Sequence, residues 1–226
     1  MSRVYSSAGH GVFLFDMDGT VLTSIAAAER VWHRWALAHG LDPAEFLPTI
    51  HGKRGIDTVR DSGVTGIDIE AEAAAIMEAE IHDVAGIEPI AGAPAFLASL
   101  PADRWAIVTS APRRLAQARI AAAGLPMPAT LIAGDDVAEG KPSPEPFHKG
   151  AAALGVPVES CLIFEDAEAG IVAAEASGAS LLVVTAGHPA PLAAAADHEQ
   201  ITDYTHLSAE QDAHGALHVH RHAVPG

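Results

Sequence analysis

Val12-Phe13-Leu14-Phe15-Asp16-Met17-Asp18-Gly19-Thr20 decides the fold. Its first four residues are wholly apolar, as suits a short strand covered on both faces in a parallel sheet. The run then stops at two aspartates around one methionine, and Gly19 allows the turn that follows. The same pattern recurs downstream. Trp105-Ala106-Ile107-Val108 stops at Thr109-Ser110, Leu131-Ile132-Ala133 at Gly134-Asp135-Asp136, and Leu162-Ile163-Phe164 at Glu165-Asp166, while 181–184 makes a fifth run. Between them lie stretches with helical spacing, 113–123, 144–154 and 168–177, closed by Gly124, Gly155 and Gly178. Strand and helix alternating in this way predict an α/β fold with a doubly wound, Rossmann-like parallel sheet.

Residues 23–88 break that rhythm. They carry amphipathic helical patterns over 25–39, 56–61 and 68–84 and no strand-like apolar run. This interval reads as an inserted helical cap, with 10–22 and 89–212 forming the α/β core. A cap entering after the first strand sits over the carboxyl ends of the strands, where open α/β sheets bind ligands. The last stretch, 213–226, holds four histidines, two glycines and a proline but few apolar anchors, so it is expected to form a flexible tail.

Composition narrows the function classes. The 226 residues are 49% hydrophobic and 19% charged, which excludes a disordered or low-complexity chain. The formal net charge is −16, a field that repels nucleic acid and anionic membrane surfaces. No run of apolar residues is long enough to span a bilayer, and the amino-terminal segment does not resemble a signal peptide. Cys161 stands alone, so no intramolecular disulfide forms, consistent with a cytoplasmic location. A monomer or weak homodimer is expected.

The informative polar residues stand at the ends of the apolar strands: Asp16 and Asp18, Thr109 and Ser110, Glu165 and Asp166. Side-by-side parallel strands bring such positions to one rim. Four carboxylates there repel one another unless a divalent cation neutralises them. Hard oxygen ligands suit Mg²⁺, which takes carboxylates together with substrate phosphate and water.

Here the residues resemble a known family. Phe13 to Thr20 is similar to the first motif of the haloacid dehalogenase superfamily. Thr109 is similar to its second, Gly140-Lys141-Pro142-Ser143-Pro144-Glu145 to its third, and Glu165-Asp166-Ala167 with Gly170 to its fourth. Four motifs in order and in the expected strand context make a specific match, and the helical interval resembles the small α-helical cap of subfamily IA. Within the cap, Glu29-Arg30-Val31-Trp32 with Trp35, then His39-Gly40-Leu41 and His51-Gly52-Lys53, resemble sugar phosphatases and glycerol-3-phosphate phosphatases.

The resemblance implies a Mg²⁺-dependent phosphatase of small phosphorylated metabolites. Asp16 is then the nucleophile that forms an aspartyl-phosphate, and Asp18 the general acid and base. Lys141 offsets charge between Asp16 and the phosphate. Thr109 and the Ser110 N–H hold phosphoryl oxygens. Asp16, the Asp18 carbonyl and Asp166 hold the metal, with Glu165 behind its water shell. Lys53 and Arg54 are expected to grip the substrate when the cap closes, and His51 to orient a sugar hydroxyl.

Blander roles are assigned elsewhere. Trp32 and Trp35 read as cap packing, and the carboxylates of 70–80 as a solvent-facing helix surface. His214, His218, His220 and His222 read as solvated, and Cys161 as buried and inert.

The residues also bear on three other activities. A β-phosphoglucomutase-type phosphomutase shares the core motifs, but such mutases carry a histidine in the first cap helix where this chain has Ala28. A receiver module has neither the cap nor a second Asp two positions after the acceptor. True dehalogenation needs neither the Asp-Gly-Thr continuation nor a metal.

Overall fold

The computed structural model describes residues 3–187 and 193–222. In chain order, β1 (Arg3–His10), β2 (Val12–Phe15) and β3 (Leu22–Thr23) lead into four helices. These are α1 (Ile25–Ala38), α2 (Pro43–Phe46), α3 (Gly55–Asp61) and α4 (Ile69–His82). β4 (Glu88–Pro89) and α5 (Ala93–Ser99) then open the alternating part, β5 (Trp105–Val108), α6 (Arg113–Ala122), β6 (Thr130–Ile132) and α7 (Glu145–Ala153). It continues through β7 (Cys161–Glu165), α8 (Glu168–Ser177), β8 (Ser180–Val184) and β9 (Glu199–Ile201). β10 (Leu207–Gln211) and β11 (Leu217–Arg221) complete the described chain.

The main sheet has six strands in the order β6-β5-β2-β7-β8-β9, all parallel. β2 lies at its middle, with Phe15 paired to Ile107 on one side and Phe164 on the other. The four residues of β2 are all buried because both sheet faces are covered, as their unbroken apolar run requires. One face packs Phe13, Phe15, Phe96, Phe164 and Tyr204 into a cluster of tilted and stacked rings, with Phe15 and Phe164 at 4.4 Å between centroids. The other face packs Leu14, Val108 and Ile163 against Phe147 and Ala151 of α7 and Ala173 and Ala174 of α8.

The inserted helices have a separate apolar cluster, made by Val31, Trp32, Trp35, Phe46, Ile50, Val59 and Ile76. Trp32 and Trp35 meet edge to face at 5.7 Å. A short antiparallel pair, β3 with β4, joins the two ends of the insertion, Thr23 opposite Glu88. The chain therefore leaves and re-enters the core through neighbouring strands, beside the carboxyl end of β2.

Two expectations are corrected. The stretch 213–226 is no frayed tail through residue 222: β11 is the central strand of a three-stranded antiparallel sheet, β1-β11-β10. The signal is a period of two, with Leu217 and Val219 buried against the core and His218 and His220 alternating with them on the other face. The histidines are engaged locally, His218 Nε2 with Asp212 at 3.1 Å and His222 Nε2 with the Ser208 hydroxyl at 2.8 Å. Residues 223–226 lie outside the described residues. The second correction concerns the carboxylates of 70–80, because Glu80 faces inward and is buried.

Candidate active site

Local backbone bonds set the loop that carries Asp16 and Asp18. The Asp16 N–H donates to the Phe164 carbonyl across the sheet at 2.9 Å, and the N–H groups of Thr20, Val21 and Leu22 turn back to the Met17 carbonyl. Gly19 has φ +88°, and a Cβ there would come within 2.0 Å of Asp166 Oδ2. Glycine is required at this point both for its conformation and for the close approach of the Asp166 carboxylate.

Asp16, Lys141, Glu165 and Asp166 are all buried at the ends of β2 and β7 and in the loop before α7. The Lys141 ammonium donates to Asp16 Oδ1 and Glu165 Oε1, each at 2.6 Å, and lies 5.0 Å above the Phe147 ring. Glu165 spends its second oxygen on the turn, accepting the N–H groups of Asp166 at 2.6 Å and Ala167 at 2.7 Å. Thr20, a residue of the first motif that had no assigned role, donates its hydroxyl to Asp166 Oδ1 at 2.9 Å. Thr109 follows the last residue of β5, its hydroxyl accepting the Ala111 N–H at 3.0 Å.

The electrostatics are those of a carboxylate cluster short of positive charge. Burial pushes the Asp16 carboxyl well above the usual range; Lys141 opposes this, and Glu165, Asp166 and Asp18 reinforce it. Burial also works against the Lys141 ammonium, but Asp16 and Glu165 outweigh it and hold the lysine protonated throughout the neutral range. One oxygen each from Asp16, Glu165 and Asp166 lie within 4.8 Å of one another. This all-oxygen set suits a hard divalent cation, which would relieve the repulsion that one lysine leaves. Asp16 and Asp166 are the better ligands, because both Glu165 oxygens already accept hydrogen bonds.

A cavity of about 240 Å³ opens from this cluster under the inserted helices. Asp16, Asp18, Thr109, Ser110 and Asp166 line its core side. His51, Lys53, Glu29, Ile76 and Met77 line the opposite side. The structure thus brings together every sequence-selected residue of the core motifs except Lys141 and Glu165, which stand directly behind Asp16. Ser110 donates its hydroxyl to the Gly52 carbonyl at 2.8 Å, tying the core to the loop that carries His51 and Lys53. His51 stands 3.4 Å from Glu29, and Lys53 3.7 Å from Asp61.

Arg54 is not brought into the cavity. Its guanidinium bonds the Asp57 carboxylate at 2.5 and 3.0 Å and the carbonyls of Val137 and Ala138 at 3.1 Å each. It fastens the insertion to the core, so the expectation that it grips substrate does not match its position. Sequence reading also missed Arg119 on α6. It is buried, lines the cavity, and binds both Asp18 and Glu80. Burial, ahead of the opposing Arg119, pushes the Glu80 carboxyl above its ordinary range.

The chain is similar to known proteins. The chain is 40% identical to hexitol phosphatase A of Escherichia coli (strain K12) over 183 residues, 79% of this chain and 85% of that protein. It is 31% identical to glycerol-1-phosphate phosphohydrolase 2 of Saccharomyces cerevisiae over 183 residues, 75% of this chain and 72% of that one. A solved hydrolase from Pseudomonas syringae superposes with a TM-score of 0.75 at 24% identity, covering 86% of this chain and 94% of that one, a likeness in fold. The profile of the haloacid dehalogenase-like hydrolases matches residues 10–178, and the chain belongs to that family.

Proposed function

We propose that this protein is a phosphoric monoester hydrolase that releases phosphate from sugar or polyol phosphates through an aspartyl-phosphate on Asp16, with Mg²⁺ as its cofactor. The observation that carries the reading is the buried Asp16 on the core side of the cavity, flanked by Lys141 and followed two residues on by a second aspartate that lines the same cavity. The names of the hexitol and glycerol-phosphate relatives support the substrate class.

The step balances as follows. An Asp16 oxygen attacks phosphorus, the ester P–O bond breaks, and the leaving alkoxide takes a proton from the Asp18 carboxyl. Water then attacks the aspartyl-phosphate, gives its proton to the Asp18 carboxylate, and releases phosphate with Asp16 restored. Splitting the displacement in this way replaces one difficult step by two easier ones, and proton transfer through Asp18 contributes roughly 10²- to 10⁴-fold.

Lys141, directly behind Asp16, holds that carboxylate in place and offsets charge between it and the phosphate. Thr109 and the Ser110 N–H stand where further oxygens would lie. A divalent cation held by Asp16, the Asp18 carbonyl and Asp166 would neutralise developing phosphoryl charge. His51, Lys53 and Glu29 face the leaving group from above, among apolar Ile76 and Met77. Ala28 also lines the cavity, so the first cap helix presents no imidazole at the place where mutases carry one, which supports hydrolysis over transfer.

The test is phosphate release from sorbitol 6-phosphate, glycerol 1-phosphate, glucose 6-phosphate and a nucleoside monophosphate, with Mg²⁺ and with EDTA, in the native protein and Asp16→Asn. Metal-dependent release from the polyol and sugar esters that the variant lacks supports the proposal. Release that survives Asp16→Asn, or isomerisation of glucose 1-phosphate without release, overturns it.

A further inference from the structure

Asp18, Arg119 and Glu80 form a buried charged row that links the site to the helical insertion. Arg119 Nη1 lies 2.9 Å from Asp18 Oδ1, and Arg119 Nη2 donates to Glu80 Oε1 at 3.0 Å. Arg119 stands on α6 of the core, Glu80 on α4 of the insertion, and their side chains are only 7% and 9% exposed. The Ser24 hydroxyl also donates to Asp18 Oδ1. Both contacts therefore use the same carboxylate oxygen, Oδ1, and fix the orientation of the carboxyl group. A buried guanidinium between two carboxylates is costly to desolvate and is retained only where its geometry is well satisfied. Its planar fork fixes the angle as well as the distance of each partner.

We propose that Arg119 is a positioning residue: it holds Asp18 in the orientation that delivers a proton to the leaving group, and Glu80, from the insertion, fixes Arg119 in turn. The effectiveness of Asp18 thereby depends on α4 being seated over the cavity. This rests on the phosphatase reading, and it deepens that reading by assigning the residues that aim its general acid.

The experiment separates proton delivery from everything else by varying the leaving group. An alkoxide needs a proton as it departs, whereas the nitrophenolate of p-nitrophenyl phosphate does not. We compare kcat/KM, which reports the steps up to leaving-group departure, for sorbitol 6-phosphate and p-nitrophenyl phosphate in the native protein, Arg119→Lys, Arg119→Met and Glu80→Gln.

The expected result is a loss of about 10²-fold on the alkyl ester in Arg119→Met, the low end of what general acid catalysis contributes. The loss on the aryl ester stays below about tenfold. Arg119→Lys recovers part of the alkyl activity, and Glu80→Gln moves the ratio the same way by a smaller factor. Equal losses on both esters overturn the proposal, since that is the mark of a residue that serves substrate binding or packing and not proton delivery. Should the Arg119 variants fail to fold, Glu80→Gln decides by the same ratio. A native protein that releases phosphate from neither ester refutes the underlying phosphatase reading instead, an outcome distinct from equal losses.

Discussion

A Cβ on Gly170 would lie 1.6 Å from Glu165 Oε1. Glu165 is the hub behind Asp16, with one oxygen on Lys141 and the other on the Asp166 and Ala167 N–H groups. It fits only because the first turn of α8 has no side chain at 170. Gly170→Ala should push Glu165 off both sets of partners. The expected cost is about 1–3 kcal/mol of stability, as for other overpacked sites, with phosphate release reduced at least about tenfold. Urea unfolding and steady-state assay check both numbers.

Lys141→Met keeps most of the side-chain length and removes the charge, leaving the Asp16 and Glu165 carboxylates facing each other in the interior. Removing one partner of a buried pair typically costs about 3–5 kcal/mol. The variant should melt lower and lose roughly 10²- to 10³-fold in kcat, the scale of losing one electrostatic donor at a reacting oxyanion. A neutral effect on melting would show that the pair contributes nothing net.

Lys53 and Arg54 are sequence neighbours with different tasks. Lys53 lines the cavity, so Lys53→Ala should raise KM for a polyol phosphate about tenfold and leave amide exchange in the inserted helices unchanged. Arg54 reaches the Val137 and Ala138 carbonyls instead, and bonds from a charged donor are worth about 1.5–3 kcal/mol. Arg54→Ala should speed amide exchange in α3 and α4, measured by hydrogen–deuterium exchange mass spectrometry.

Cys161 is buried at the start of β7, and burial, with a small contribution from Glu159, pushes its thiol up to about 12. The reactive thiolate is thus scarce at every pH below that value in the folded protein, whereas an unfolded cysteine ionises near pH 8.5. Raising pH from 7 to 9 should leave Cys161 unreactive toward iodoacetamide unless denaturant is added. Rapid labelling of the native chain at pH 9 would contradict the packing described here.

Much of this was legible in the chain because the candidate site residues sit at fixed offsets from buried strands. The run Val12 to Phe15 announces its strand by hydrophobicity alone, and Asp16 and Asp18 follow from where it stops. Arg119 and Glu80 gave no such signal. Each sits in a helix among other charged residues, and only the docking of α4 on α6 turns those two inward. Arg54 failed for the related reason that a basic residue beside Gly52 and Lys53 reads the same whether it faces substrate or a neighbouring carbonyl. The carboxy-terminal strand was missed because two apolar residues separated by a histidine make a weak period of two, decisive only when β1 and β10 flank it.

The central claim is that Asp16 carries the phosphoryl group, and acid quenching during turnover tests it most directly. Native protein mixed with excess sorbitol 6-phosphate and Mg²⁺, stopped in acid within one turnover and digested, should yield the peptide containing Asp16 heavier by one phosphoryl group. Asp16→Asn should yield only the unmodified peptide. A native protein that turns over rapidly while its Asp16 peptide stays unmodified, or carries the phosphoryl group at another residue, would contradict the account.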